Sequence, residues 1–194
     1  VEALMQGYFF DAVESDHVLR FVPRGGASVL SIPENNLIPR QGSDGGELIT
    51  TTRRQEIELP KRMNIIYLNR LANYQSATQY SQREVTGSRQ VVTIDLPIVF
   101  SDQVAKSVSD ARLFADWVGR TSYEFDLPVK YMRLEPADVI TVTVSNVAHR
   151  MRVLSTHALA QGMLRVRAVA EDVSVYDFYT APGDSSELLL QNLN

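Results

Sequence analysis

Between Leu59 and Val144 short strand-like runs ending on Leu-Pro bracket one stretch of helical periodicity, and that order leaves few folds open. Val92, Ile94 and Leu96 share one side of an alternating run whose other side carries Thr93 and Asp95. Tyr123, Phe125 and Leu127 alternate in the same way with Glu124 and Asp126, and Ile140, Val142 and Val144 with Thr141, Thr143 and Ser145. Such alternation gives strands with one apolar face. Met63 to Leu68 is apolar on both alternate sets, which predicts a strand buried on both faces. Leu164, Val166, Ala168 and Ala170 follow a Gln161-Gly162 turn and predict a hairpin with the run around Val153.

The interruption is a helix over 101–118. Ser101 is suited to the N-cap, and Asp102 places charge at the positive end of the helix dipole. Val104, Val108, Ala111, Ala115 and Val118 recur at helical spacing as one apolar stripe, and Gly119 marks a stop. Leu113 and Trp117 fall nearly opposite that stripe, among Asp102, Lys106 and Asp110. Either a second layer of the fold covers them, or they form an interface with another subunit or domain, where Trp is a common anchor.

Toward the N-terminus, Gly7–Val13 and His17–Val22 flank Glu14-Ser15-Asp16 as a hairpin, and Ser28–Ile32 follows Gly25-Gly26 as a short strand. Pro33 to Gly46 is crowded with Pro, Asn and Gly and reads as a long loop or boundary. The expected fold is mainly β (α+β): small antiparallel β-domains or barrels with one long helix. The expected divisions are a hairpin region and loop over 1–50, a β-rich domain over 51–178 and a linker or C-terminal extension over 179–194. Val1 in place of Met leads us to expect a piece of a longer chain.

Composition narrows function by exclusion. A formal net charge of -4 with interspersed signs gives no electrostatic footprint for specific nucleic-acid binding. With no cysteine there is no disulfide framework, thiolate nucleophile or Cys-based zinc site. No apolar run approaches the ~20 residues of a spanning helix. His149 and His157 share a strand face but span over about 25 Å, too far to hold one metal, and His17 is remote in sequence. Asp95 with Asp126, or Glu171 with Asp172, could be paired only on paper, since a glycosidase needs its carboxyl groups ~5–10 Å apart across a cleft. The glycines at 25–26 and 42–46 lack the Lys-Ser/Thr of a phosphate loop, and neither Ser31 nor Ser76 sits in a G-x-S-x-G elbow. Tyr67, Tyr74 and Tyr80 could stack on sugars, although strand tyrosines more often line a half-buried sheet. We expect no catalytic residue, metal or cofactor.

The ordered set carries more than its parts. Leu59-Pro60-Lys61-Arg62-Met63, then Tyr74-Gln75 with Arg83, then Leu96-Pro97 precede the helix that ends at Arg120. Phe125-Asp126-Leu127-Pro128 and Leu134-Glu135-Pro136 with Asp138-Val139-Ile140 come after it. From about Leu59 to Tyr176 this resembles a phage tail protein domain of the tail-tip hub, or host-specificity, proteins of long-tailed phages and gene transfer agents. The family commonly has Pro-Gly-Asp where this chain has Pro136-Ala137-Asp138, and a type I turn would accommodate the alanine.

The resemblance implies a virion structural protein at the distal end of the tail, assembled in the bacterial cytoplasm. Its implied role is to close the tail tube, connect it to host-attachment parts and take part in opening it for DNA ejection. The implied partners are other copies of itself, as a homotrimer in the full-length protein, and neighbouring tail proteins. A carbohydrate- or receptor-binding β-module of a tail appendage is the alternative; a hydrolase remnant would require convergent carboxylates in a cleft.

Overall fold

Burial of the predicted apolar faces generates two cores in the computed structural model, which describes residues 1–15, 17–40, 46–159 and 162–176. In chain order the strands are β1 (Phe10–Ser15), β2 (Val18–Pro23), β3 (Leu30–Ile32), β4 (Thr50–Arg53), β5 (Pro60–Asn69) and β6 (Gln75–Gln82). They continue with β7 (Gln90–Phe100), β8 (Thr121–Pro128), β9 (Val139–Val144), β10 (Val147–Leu159) and β11 (Met163–Ala170). The helices are α1 (Glu2–Tyr8) and α2 (Asp102–Val118). The protein is mainly β, as its alternation predicts.

Three sheets form, ordered β1-β2, β3-β9-β10-β11-β8-β4 and β6-β5-β7, and none closes into a barrel. Nor are they wholly antiparallel: β5 pairs in parallel with β7, and β3 with β9. The β5–β7 pairing follows from the connection over 83–89, which passes beneath the start of β5. Ser88, 1% exposed, ties that connection down by donating its hydroxyl to the Leu59 carbonyl. In the six-stranded sheet, Phe125, Leu127, Ile140, Val142, Val153 and Val166 are fully buried on one face. β3 pairs with β9 and Ile38 bridges to Asp126, so the chain before residue 40 contributes to this sheet. Residues 179–194, expected as a linker, lie outside the described residues.

β5 is buried more on one side than on the other, unlike the expected two-faced burial. Met63, Ile65 and Tyr67 are buried, while Asn64, Ile66 and Leu68 remain partly accessible. The reason is that α2 covers only one face of this sheet. Ser101 caps α2, its Oγ accepting the Val104 amide at 3.3 Å. Asp102 accepts the Tyr67 hydroxyl and, at 2.7 Å, the Asn69 side-chain amide. Burial and this Asp102 carboxylate push the Tyr67 hydroxyl up to about 12. Its unfolded counterpart ionises near 10, so the contribution is whole below about pH 10 and lost as pH rises through about 12.

Two local departures have clear causes. Gly7 and Tyr8, expected in a strand, belong to α1, because a helix there lets the Gly7 backbone approach Ile98 and Phe100 on β7. Ala137 takes φ 71, so Glu135–Asp138 is a type II turn, not the expected type I. Its amide donates to Val153 O at 2.8 Å and holds the turn against β10. A side chain at that φ costs about 1–2 kcal/mol, partly offset by the lower entropy of an unfolded alanine. Ala137→Gly is therefore expected to stabilise the chain by about 0.5 kcal/mol, read as a raised denaturation midpoint.

Candidate assembly surface

Among the described residues the β6-β5-β7 sheet presents one uncovered face and two outer strands that pair only inward. The Arg83 amide donates to Lys61 O at 2.9 Å, in register with the β5–β6 ladder. Odd-numbered residues of β6 therefore turn their backbone groups toward β5, and Ser76, Thr78, Tyr80 and Gln82 turn theirs outward. Lys106 Nζ confirms the direction, since it reaches Tyr80 O at 3.0 Å from α2. Lys106 also pairs with Asp110 at 2.7 Å. Ser76, Thr78, Tyr80 and Gln82 are all exposed.

β6 contains no charged residue and no proline, and its register with β5 is unbroken. Outer strands that must stay unpaired normally carry such interruptions. β7 carries Pro97 and a register shift opposite Ile66–Leu68. Beyond the edge, the open face bears Tyr80, Val91 and Val99, which are 48%, 58% and 40% exposed. Arg62 lies over the Tyr80 ring at 3.8 Å.

Leu113 and Trp117 lie elsewhere than an open helix face. They are 3% and 8% exposed and belong to the first core with Met63 and Ile65. The Trp117 indole N–H donates to Pro60 O at 2.9 Å, and the Arg83 guanidinium lies over its ring at 4.2 Å. α2 packs on β5 and β6 on one side and touches the 173–176 turn on another, so its buried arc is wide. Val108 and Ala111 of the expected stripe are fully buried, whereas Val104, Ala115 and Val118 are only partly so. A groove of about 340 Å³ nevertheless runs between α2 and the end of β6, with Leu113 and Trp117 in its lining beside Phe114 and Arg83.

The remaining candidates do not converge. His149 and His157 both lie on β10, and His17 is at the β1–β2 turn with φ 62. Among the described residues no group of three or more His, Asp or Glu could hold a metal ion. Asp126 is buried and bonded twice by Arg165 at 2.9 Å, while Asp95 is exposed on β7 in another sheet. Tyr67 faces the core, whereas Tyr74 and Tyr80 are exposed. His149 does meet Tyr123, at 5.7 Å between ring centroids, in a cleft of about 280 Å³ also lined by Glu34 and Glu47. Burial raises the Tyr123 hydroxyl above its ordinary value. No described helix is long and apolar enough to cross a membrane. Sequence reasoning missed β6 as a surface; an eight-residue stretch without charge or proline beside a buried strand was the available signal.

The fold has counterparts among known tail proteins. A chain in the structure titled "Virion of native gene transfer agent (GTA) particle" superposes with TM-score 0.82 at 22% identity, covering 90% of this chain and 39% of that one. The tail protein from Neisseria meningitidis MC58 gives TM-score 0.54 at 12% identity, covering 92% of this chain and 55% of that one. The 43 kDa tail protein of prophage MuSo2 from Shewanella oneidensis gives 0.52 at 10% identity, with 89% and 50% covered. The chain thus spans about two-fifths to just over half of these proteins. No curated protein sequence matches it. Residues 1–156 match the family model described as "Putative phage tail protein", so the match takes in the N-terminal hairpin as well as α2 and β5–β9. The chain belongs to this family of phage tail proteins.

Proposed function

We propose that this chain is a structural part of a phage-type tail tip, the hub that closes the tail tube and joins it to host-attachment parts. The observation that carries this reading is the three-stranded sheet whose outer strands pair only inward among the described residues, with one outward carbonyl of β6, that of Tyr80, held by Lys106. A rotation about an axis running roughly along the strands preserves strand direction. It sets β7 of one copy, parallel to β5, against the opposed β6 of the next, giving an antiparallel junction. Repetition of that head-to-tail contact closes a ring, and a homotrimer is the expected count. Leu113 and Trp117 would then support the contact from beneath the groove beside β6, rather than as exposed anchors. In this reading the protein is not an enzyme, acts at the distal end of the tail and opens with the tip when DNA leaves. Its neighbours are other tail proteins.

The test exploits the direction of the β6 backbone. Thr78→Pro removes an outward amide and no bond to β5. Sedimentation of the unaltered chain should show a cyclic oligomer at about 100 μM, where a contact of about 5–6 kcal/mol is populated. Thr78→Pro should sediment as a monomer with an unchanged circular dichroism spectrum. A monomeric unaltered chain, or an oligomer indifferent to Thr78→Pro, overturns the ring. The Tyr123–His149 cleft favours the second reading, a saccharide-binding module, which requires measurable binding of a saccharide that Tyr123→Ala abolishes.

A further inference from the structure

We infer that the β1–β2 hairpin is a switchable arm, docked on the body of the protein by an ion network that can divide into separately neutral pairs. The hairpin shares no ladder with either larger sheet. Val18, Leu19 and Phe21 on β2 are 59%, 57% and 57% exposed, so apolar burial does little to hold its outer strand. An isolated two-stranded ribbon is marginal in water and depends on what anchors it.

The anchor is charged and largely buried. Asp11 on β1 accepts Arg24 Nη2 at 2.6 Å, and its other oxygen accepts Arg152 Nη1 of β10 at 2.9 Å. Glu171, its side chain 3% exposed, accepts the Gly25 amide at 2.8 Å. One carboxylate of the arm thus holds a guanidinium of the body, and one carboxylate of the body holds a backbone amide at the arm's root.

Two atoms in this network have no hydrogen-bond partner among the described residues: Arg152 Nε and Glu171 Oε2. They face each other at 4.0 Å. Leaving buried charged groups short of partners is costly, and a small approach would join these two. Arg152 therefore has a second partner waiting. If it moves from Asp11 to Glu171, the body keeps the neutral pair Arg152–Glu171 and the arm leaves with the neutral pair Asp11–Arg24. Breaking a buried ion pair is normally prohibitive because a lone charge remains behind. Here no lone charge remains. α2 supplies its own balance nearby, where Arg112 faces Asp116 and burial lowers the Arg112 affinity for its proton.

The two chain segments that join the ribbon to the body lie side by side at its root and both leave the extended conformation there. Phe9, directly before β1, has φ 51, and Gly25, two residues beyond β2, has φ 77. Turning of the arm about these points leaves the β1–β2 ladder intact but has to displace the Tyr176 ring, which packs on both. Ser15 and Arg20 contact Glu135 at the far end, through a hydroxyl and an ion pair that is largely exposed, which adds little to docking.

The absence of cysteine permits a direct test. Spin labels attached through Val18→Cys on the arm and Val147→Cys on the body report their separation in the full chain by electron–electron double resonance. The parent should give one dominant distance, that of the docked arm. Asp11→Asn should raise the longer-distance population at least about tenfold, with the melting transition of the body retained. Glu171→Gln keeps an acceptor for the Gly25 amide but removes the second charge partner of Arg152. Added to Asp11→Asn, it should reverse most of that increase. An unchanged distance in Asp11→Asn overturns the latch, and indifference to Glu171→Gln overturns the exchange of partners. If Asp11→Asn does not fold, Arg24→Gln is read instead: it leaves Asp11 dependent on Arg152, so the longer-distance population should not rise, and a rise overturns the exchange of partners. Loss of the whole fold in both variants shows the hairpin to be part of the body.

Discussion

Trp117→Ala is expected to destabilise the protein by about 4 kcal/mol, the loss typical of truncating a buried tryptophan. Three contributions add in the same direction. The ring leaves a cavity between α2 and the start of β5, where Leu59 and Met63 are fully buried and cannot collapse far. The Pro60 carbonyl loses its indole donor. Arg83 loses the ring face over which its guanidinium rests. Trp117→Phe separates the first contribution from the second, since most of the volume is kept, and should cost about 1–2 kcal/mol. Equilibrium denaturation followed by circular dichroism measures both. A Trp117→Ala chain of undiminished stability would mean that the indole contributes to contacts between copies and not to this core.

Sequence made α2 legible and its orientation much less so. The Ser101 cap, Asp102 and the 3.6-residue period placed the helix at 101–118, within one residue of Asp102–Val118. The buried face was misjudged because the Val/Ala stripe is continuous whereas Leu113 and Trp117 are only two residues. Two large side chains that bury more area outweigh three small ones, and the 173–176 turn covers a flank of the helix that no local pattern predicts. The alternating strands β7, β8, β9 and β11 were readable for the usual reason: one face of each is buried.

What escaped sequence reading depends on distant partners. α1 is seven residues long and holds its place by the approach of Gly7 to β7, not by its own periodicity. β6 is polar on both faces and becomes a strand by pairing with β5. The ion network joins Asp11, Arg24, Arg152 and Glu171, and Asp11 and Arg152 stand 141 positions apart in the chain. Each of these residues reads as ordinary surface charge until the fold brings them together. The Pro136-Ala137 turn is a subtler case. Ala argues for φ below zero, yet the Val153 carbonyl and burial to 6% hold Ala137 in the left-handed region.

Gly25→Ala should cost about 3 kcal/mol although it adds a single methyl group. A Cβ at this position would stand 2.5 Å from Tyr176 Cδ2 and 3.1 Å from Cγ, on a ring that packs edge-on against Phe9 at 5.6 Å between centroids. The ring cannot yield by a small rotation, since it is wedged between the Gly25 backbone and a phenylalanine that is itself 3% exposed. The backbone is the other source of the cost: φ 77 is open to glycine and strained for alanine. Relief through a change of φ would draw the Gly25 amide away from Glu171. Gly26→Ala supplies the control, because its nearest atom would be Pro23 O at 3.7 Å and its φ lies outside the left-handed region. That neighbour should change stability by less than about 0.5 kcal/mol. Denaturation midpoints of the two variants at unchanged slope test the contrast, and equal losses at Gly25 and Gly26 would show that the Tyr176 ring does not close over the root of the hairpin.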